Sequence, residues 1–471
     1  MRRHKIASLT IATTILALAI LYSSVMQPTQ TNSTHYTTTT QTPIVISTFP
    51  QLLSTSGTRI IDGQGNVILL RGVDVDGYAY KYSWATGALQ PTDFDRIASW
   101  GFNVIRLEIA WDYIEPSPGH YNDSYLQNTV DQNIEWAERA GVYIILDLHQ
   151  NCWSSYFTTC NGAASDGLPP WAVSAYTNTD SGRSQAMVSF WEGLGPNGTA
   201  VTESNPSMQD RLAMVWRHTA ERYGNNAVIA GYDLFNEPLA YPELFLPHFP
   251  NFESVMLPQF YREVVDSIRT VDPSHICVWE GANSSLNRPN TVYSPHYPGV
   301  VSGSANQLSE YTGREALASD IERYVNQTVA WNVPMYIGEW AELSTATAVQ
   351  QYIPDVLSIL DHYQISSTWF TYGPTSFASG LLDQDRQQRT TLVQNLVRPY
   401  VRGSSSPEFT VMYDPAMRTL NLQLPAKTTV VVAIPRNYSI KAYTPGVQVV
   451  VYAGVMQITT GEGVSFQVEF A

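Results

Sequence analysis

The stretch Ile229-Ala230-Gly231-Tyr232-Asp233-Leu234-Phe235-Asn236-Glu237-Pro238 decides how this chain is read. A short apolar run of this kind reads as a buried strand, and Asn236-Glu237-Pro238 stands at its C-terminal end. A glutamate there is costly unless a site uses it. A second stretch repeats the arrangement: Val333-Pro334-Met335-Tyr336-Ile337-Gly338 leads into Glu339-Trp340. Two acids so far apart in sequence meet only if both strands point their C-termini to one face, as parallel barrel strands do.

Further strand-like runs lie at Val67–Val73, Asn103–Leu107, Val142–Leu148, Ile276–Trp279, Thr291–Ser294 and Ser367–Thr371. Amphipathic helical stretches fall between most of them, at Pro91–Trp100, Leu126–Ala140, Met208–Tyr223, Pro258–Val271 and Arg314–Trp331. Gly101, Gly141 and Gly224 follow three of these at helix-ending positions. Eight strands alternating with helices predict an α/β fold, a (β/α)8 barrel over residues 57–402. Only the connection from the fifth strand to the sixth is too short for a full helix. Past Gly403-Ser404-Ser405-Ser406-Pro407, read as a linker, the periodicity becomes two: Leu420, Leu422 and Leu424, then Val464, Phe466, Val468 and Phe470. A small antiparallel β-sandwich is expected over 403–471.

Composition excludes some partners. The 471 residues carry a net charge of −15, which argues against nucleic acid and anionic membranes as partners. Charged residues make up only 14%, and lysine is confined to Lys5, Lys81, Lys427 and Lys441. At the N-terminus Arg2-Arg3-His4-Lys5 precedes an apolar stretch from Ile6 to Met26. Residues 1–27 therefore read as a signal peptide or an uncleaved signal anchor, and 28–56 as a Thr/Ser-rich linker. Either reading puts the folded part outside the cell, secreted or on the outer face of its membrane. Cys152 and Cys160 bracket a short loop and are candidates for a disulfide, while Cys277 in an apolar run reads as a buried free thiol.

The polar residues at the strand ends define a chemistry. Retaining glycoside hydrolysis needs one carboxyl to protonate the leaving oxygen and another, about 5–5.5 Å away, to attack the anomeric carbon. Glu237 and Glu339 are the candidates, with Glu280 a competitor for the attacking role. Asn236 would contact the sugar 2-hydroxyl. Arg106, alone in the apolar strand Val104-Ile105-Arg106-Leu107, would pair with Glu339, or else with Glu108 or Asp112. His149 and His296 end two further strands, and Trp369 would floor the sugar site by stacking. No metal or organic cofactor is required, since two carboxylates carry the proton transfer and the covalent step.

Gly-Tyr-Asp-Leu-Phe-Asn-Glu-Pro (231–238), Asn-Val-Ile-Arg-Leu (103–107), Asp-Leu-His (147–149), Ser-Pro-His-Tyr (294–297) and Ile-Gly-Glu-Trp (337–340) resemble glycoside hydrolase family 5, of the clan A barrels. The resemblance covers residues 57–400. It implies Glu237 as acid/base, Glu339 as nucleophile, and Arg106, His149, Asn236, His296, Tyr297 and Trp369 around them. The family's tyrosine commonly stands two places after the histidine, where this chain has Pro298, so Tyr297 or Tyr293 substitutes. Glu115-Pro116, Asp147-Leu148-His149-Gln150, Leu168-Pro169-Pro170-Trp171-Ala172 and Leu396-Val397-Arg398-Pro399-Tyr400 are similar to the endoglycoceramidase-like branch. The implied substrate is a glycolipid or related β-glucoside, with Leu244–Phe252 either a lipid-accommodating wall or local core of the barrel rim. The alternatives are an endo-β-1,4-glucanase or mannanase, with Trp84, Trp111, Trp153, Trp171 and Trp191 as sugar subsites, and a catalytically dead carbohydrate-binding protein.

Overall fold

The computed structural model describes residues 49–76, 89–159, 167–296, 313–341, 346–375 and 378–471. The expected signal segment, Cys160, Trp84 and Tyr297 lie outside the described residues.

Eight parallel strands form the barrel: β4 (Arg71–Val75), β5 (Val104–Ile109), β6 (Tyr143–Leu148), β7 (Ile229–Asp233), β8 (Ile276–Trp279), β9 (Thr291–Tyr293), β10 (Tyr336–Trp340) and β11 (Ser366–Trp369). β4 to β9 pair in succession, β10 pairs with β11, and β11 pairs with β4. The ring closes where Tyr293 bridges Met335 and its N–H donates to the Pro334 carbonyl at 3.1 Å. Helices Met208–Tyr223 and Arg314–Trp331 lie where the periodicity puts them. No helix occupies the β8–β9 connection, as its length demands. Gly101 and Gly141 end their helices with positive φ, but Gly224 keeps a right-handed helical backbone. Gly231, inside the deciding stretch, is required for another reason: an added Cβ would stand 2.6 Å from the Ile276 carbonyl oxygen.

Strand alternation sorts the side chains into two populations. Along β5, Ile105, Leu107 and Ile109 join the large core shared with the helices. Val104 instead joins Tyr143, Ile145, Ala230, Ile276 and Val292 in a separate apolar cluster. Arg106 and Glu108 follow Val104 on the same face, so the strand interior passes from apolar at its N-terminal end to charged at its C-terminal end. That gradient builds the site.

Two antiparallel sheets form the second region. One runs β1 (Ser54–Ser56), β2 (Arg59–Ile61), β3 (Val67–Ile68), β12 (Tyr400–Ser404), β15 (Thr429–Ala433), β18 (Val455–Thr459) and β17 (Gln448–Tyr452). The other runs β13 (Thr410–Asp414), β14 (Thr419–Leu424), β19 (Val464–Phe470) and β16 (Ile440–Tyr443). Their facing sides share one core that includes Val67, Val401, Leu420, Leu422, Val432, Ile458, Phe466 and Val468. Two expectations are corrected here. The run Val67–Val73 splits, so residues 54–68 belong to the sandwich sheet and the barrel opens at Arg71. The expected linker is no free tether: Gly403 and Ser404 pair with both β3 and β15, and Ser404 is buried. Tyr400 and Arg402 seat the sandwich on the barrel, donating to the Gly101 and Gly141 carbonyls at 2.9 and 3.0 Å. Among the described residues no helix is long and apolar enough to cross a membrane.

Candidate active site

Arg106 is the hub. Fully buried, it donates from Nε to Asp233 at 2.8 Å, from Nη1 to Glu339 at 2.9 Å and from Nη2 to the Asn236 amide oxygen at 2.8 Å. Its Nη2 also lies 3.0 Å from Asp147. A planar guanidinium serves such a ring of acceptors because its donors point outward in one plane. Burial alone would loosen its proton, but Asp147, Asp233, Asp74 and Glu339 reverse this and hold the pKa well above the ordinary arginine value. The expected Arg106–Glu339 pair is present, and Glu339 is 2% exposed.

Asn236 is fixed from three sides. Its oxygen accepts from Arg106, and its nitrogen donates to the Gln150 carbonyl at 2.8 Å and lies 3.4 Å from His149 Nε2. His149 Nδ1 stands 2.7 Å from Asp147. Burial drives the His149 pKa down to about 3, so the ring is neutral. His149 therefore orients Asn236 and is almost closed to solvent.

Glu237 lies beyond β7 with φ +44, a left-handed conformation uncommon for a residue with a side chain. Its carboxylate Oε1 is 3.1 Å from His296 Nδ1, and its side chain remains 28% exposed. Burial raises its pKa above the ordinary glutamate range against the pull of His149 and Arg106. One oxygen of Glu237, one of Glu339 and a His296 ring nitrogen lie within 4.8 Å of one another. The two carboxyls thus face a common space. Glu339 is paired with a buried cation, and Glu237 has its proton affinity raised by burial.

Other expected residues fall elsewhere. Trp369 is fully buried: Nε1 donates to the Ser379 carbonyl at 2.8 Å and the ring meets Trp340 edge-on at 4.9 Å. A ring with no open face cannot floor a sugar, and strand alternation accounts for the miss. Thr368, hydrogen-bonded to Tyr336 and the Gly338 carbonyl, occupies the opposite face of β11. Tyr293 packs on Trp279 and Trp331 at 4.8 and 5.3 Å. Glu280 does not compete for the attacking role, because its Oε1 accepts the Glu237 N–H at 2.7 Å. Cys152 is disulfide-bonded, and Cys277 is a buried free thiol. Along Leu244–Phe252, Phe245 and Phe252 sink into an aromatic cluster with Trp191, while Leu244, Leu246 and Phe249 stay half-buried.

Sequence reasoning named Glu108 only as an alternative partner of Arg106 and missed the rest of a ring of acids around this hub. Asp74, Asp76, Glu108, Asp147 and Asp233 are all buried, and both Glu108 oxygens lack a hydrogen-bond partner. Burial lifts Asp74 and Glu108 well above the ordinary carboxylate range, Asp147 to about 6 and Asp76 to about 7. The signal was available: each is an acid within or ending a largely apolar strand, the same anomaly that singled out Arg106.

The family description Cellulase (glycosyl hydrolase family 5) matches residues 61–376. The chain is 27% identical over 268 residues to Endoglycoceramidase I of Rhodococcus hoagii (strain 103S), covering 52% of this chain and 49% of that one. It is 23% identical over 255 residues to an Endoglycoceramidase of Hydra vulgaris, covering 47% and 48%. The chain thus spans about half the length of these curated relatives. Endo-glycoceramidase II from Rhodococcus sp. shares the fold with a TM-score of 0.68 at 22% identity, over 87% of this chain and 98% of that one. That enzyme has also been solved in complex with ganglioside GM3. Sterylglucosidase 1 of Cryptococcus neoformans superimposes with a TM-score of 0.70 at 13% identity, over 90% and 97%. With the barrel, the arginine hub and the paired glutamates in place, the family match over residues 61–376 shows that this chain belongs to glycosyl hydrolase family 5.

Proposed function

We propose that the protein is an exported retaining β-glycosidase acting on glycolipids or related β-glucosides. The observation that carries the mechanism is that an oxygen of Glu237 and an oxygen of Glu339 lie within 4.8 Å of each other, a close approach that suits a retaining enzyme. Glu339 attacks the anomeric carbon while Glu237 gives its proton to the departing oxygen; the glycosidic bond breaks and a glycosyl ester forms on Glu339. Glu237, now ionised, takes a proton from water, which attacks the same carbon and frees Glu339. Arg106 compensates the Glu339 charge before attack and after release. Asn236, held by Arg106, Gln150 and His149, would donate to the sugar 2-hydroxyl by giving up its long 3.4 Å contact with His149 Nε2. The raised proton affinity of Glu237 suits its role as proton donor.

Two features favour a lipid-linked substrate over a polysaccharide. Among the described tryptophans, Trp111, Trp153 and Trp191 are buried, and the Trp171 ring lies under Arg211. They offer no row of open sugar platforms. Beyond Glu237 in the chain, half-buried Leu246 and Phe249 and exposed Pro247, Pro250 and Val255 make an apolar stretch whose chemistry suits an acyl or sphingoid aglycone. The endoglycoceramidase relatives support the same class. Export rests on the basic and apolar N-terminal segment alone.

The test is a panel of glycolipids, β-glucans and aryl β-glycosides, with the anomer of the first-formed product followed by proton NMR. Retention and preference for lipid-linked sugars are expected. Inversion would sink the mechanism, and activity confined to polysaccharide would sink the substrate assignment.

A further inference from the structure

Glu237 holds a strained backbone, and the structure shows what holds it there. A residue bearing a Cβ in the left-handed region is strained and persists only where its surroundings enforce it. On the carbonyl side, buried Gln150 donates from Nε2 to the Asn236 and Glu237 carbonyl oxygens, each at 2.8 Å. On the amide side, Glu280 Oε1 accepts the Glu237 N–H at 2.7 Å. Glu280 ends β8, the neighbour of β7, and is itself 5% exposed. The chain after each glutamate packs on the other: a Cβ added at Gly281 would stand 3.2 Å from Pro238 Cγ. The same Glu280 oxygen lies 3.5 Å from His296 Nε2, whose Nδ1 is 3.1 Å from the Glu237 carboxylate.

We propose that Glu280 is a positioning residue for the acid/base carboxyl, gripping the Glu237 backbone directly through its N–H. An apolar residue would fit the buried end of β8 at lower cost, since a carboxyl there lacks water. The carboxyl supplies a fixed acceptor for an amide turned out of the strand pairing. General acid catalysis needs the proton within about 2.6–3.2 Å of the leaving oxygen, and a misplacement of about 1 Å can cost about a hundredfold. The proposal rests on Glu237 being the acid/base.

Acid assistance matters when the leaving group is poor and little when it is good, and kcat/KM reports the first chemical step alone. The experiment compares kcat/KM on phenyl and 2,4-dinitrophenyl β-glycosides for Glu280→Asp and Glu280→Gln, with Glu237→Ala as reference and thermal melting as a check on folding. Asp keeps the carboxyl but draws it back by one methylene; Gln keeps the reach and gives up the charge. Glu280→Asp should lose about 10- to 100-fold on the phenyl glycoside and less than about threefold on the dinitrophenyl one. Glu280→Gln should recover the greater part of that loss. Equal losses on both substrates, no loss at all, or a Gln variant worse than the Asp variant would overturn the proposal. If Glu237→Ala shows no leaving-group dependence, the acid/base assignment fails and this proposal falls with it. If Glu237→Ala shows it and Glu280→Asp does not, only the role of Glu280 fails.

Discussion

The barrel interior and the sandwich core lie in one chain and are built on opposite rules. Around Arg106 the barrel buries Asp74, Glu108, Asp147, Asp233 and Glu339, all 2% exposed or less. The sandwich buries Leu420, Leu422, Val430, Val432, Ile458, Phe466 and Val468 with no charge among them. Burying ions is unfavourable unless each is paired, whereas burying aliphatic surface stabilises by roughly 25 cal/mol per Å². The barrel mouth therefore spends stability to hold a set of charges, and the helix-facing and sandwich cores offset the cost. β12, paired to β3 on one side and β15 on the other, ties the two regions together.

This contrast can be broken most sharply at Glu339. Glu339→Gln, nearly isosteric, should lower kcat by at least about 10³-fold while the melting temperature moves by only a few degrees. Near-normal turnover would place the nucleophile elsewhere. Arg106→Met should damage both properties, since it strands three buried carboxylates. A loss of about 3–5 kcal/mol in denaturant-measured stability is expected, with turnover falling as well. A neutral effect would mean that the acids take up protons freely when the cation goes. In the sandwich, Leu422→Ala should cost about 2–5 kcal/mol of stability and leave turnover per folded molecule unchanged. A drop in kcat in that variant would show the two regions to be coupled beyond β12.

The smallest expected effect concerns pH. Asp76 and Asp147, at about 7 and about 6, hold protons more tightly folded than unfolded. Their stabilisation is complete below the unfolded carboxylate pKa of about 4 and is lost as pH rises through 6 and 7. His149, depressed to about 3, works in the opposite sense: its contribution is complete above about pH 6.5 and lost as pH falls. Above pH 6.5 only the acids remain, so the melting temperature should decline from pH 6.5 to 8. Asp76→Asn should flatten that decline. An unchanged slope in the variant would exclude Asp76 as its source.

Much of this was legible because barrel strands are short, apolar and bounded by helices of 3.6 periodicity. Seven of the eight barrel strands and the extents of Met208–Tyr223 and Arg314–Trp331 follow from local pattern, the first strand being the exception. Arg106 and the two glutamates were legible because a charge in an apolar strand is too costly to be incidental. Trp369 was misread because composition marks an aromatic at a strand end but not the face it takes. The split of Val67–Val73 was hidden because pairing of β3 with β12 joins residues more than 300 positions apart.

The sequence by itself determined the barrel, the sandwich texture and the two carboxyls, since periodicity and the cost of buried charge are local properties. Only the tertiary structure decided that Arg106 joins Asp147, Asp233, Asn236 and Glu339, and that Glu280 serves the Glu237 amide. Those contacts cross strands far apart in the chain, and closure of the barrel alone brings them within hydrogen-bond reach.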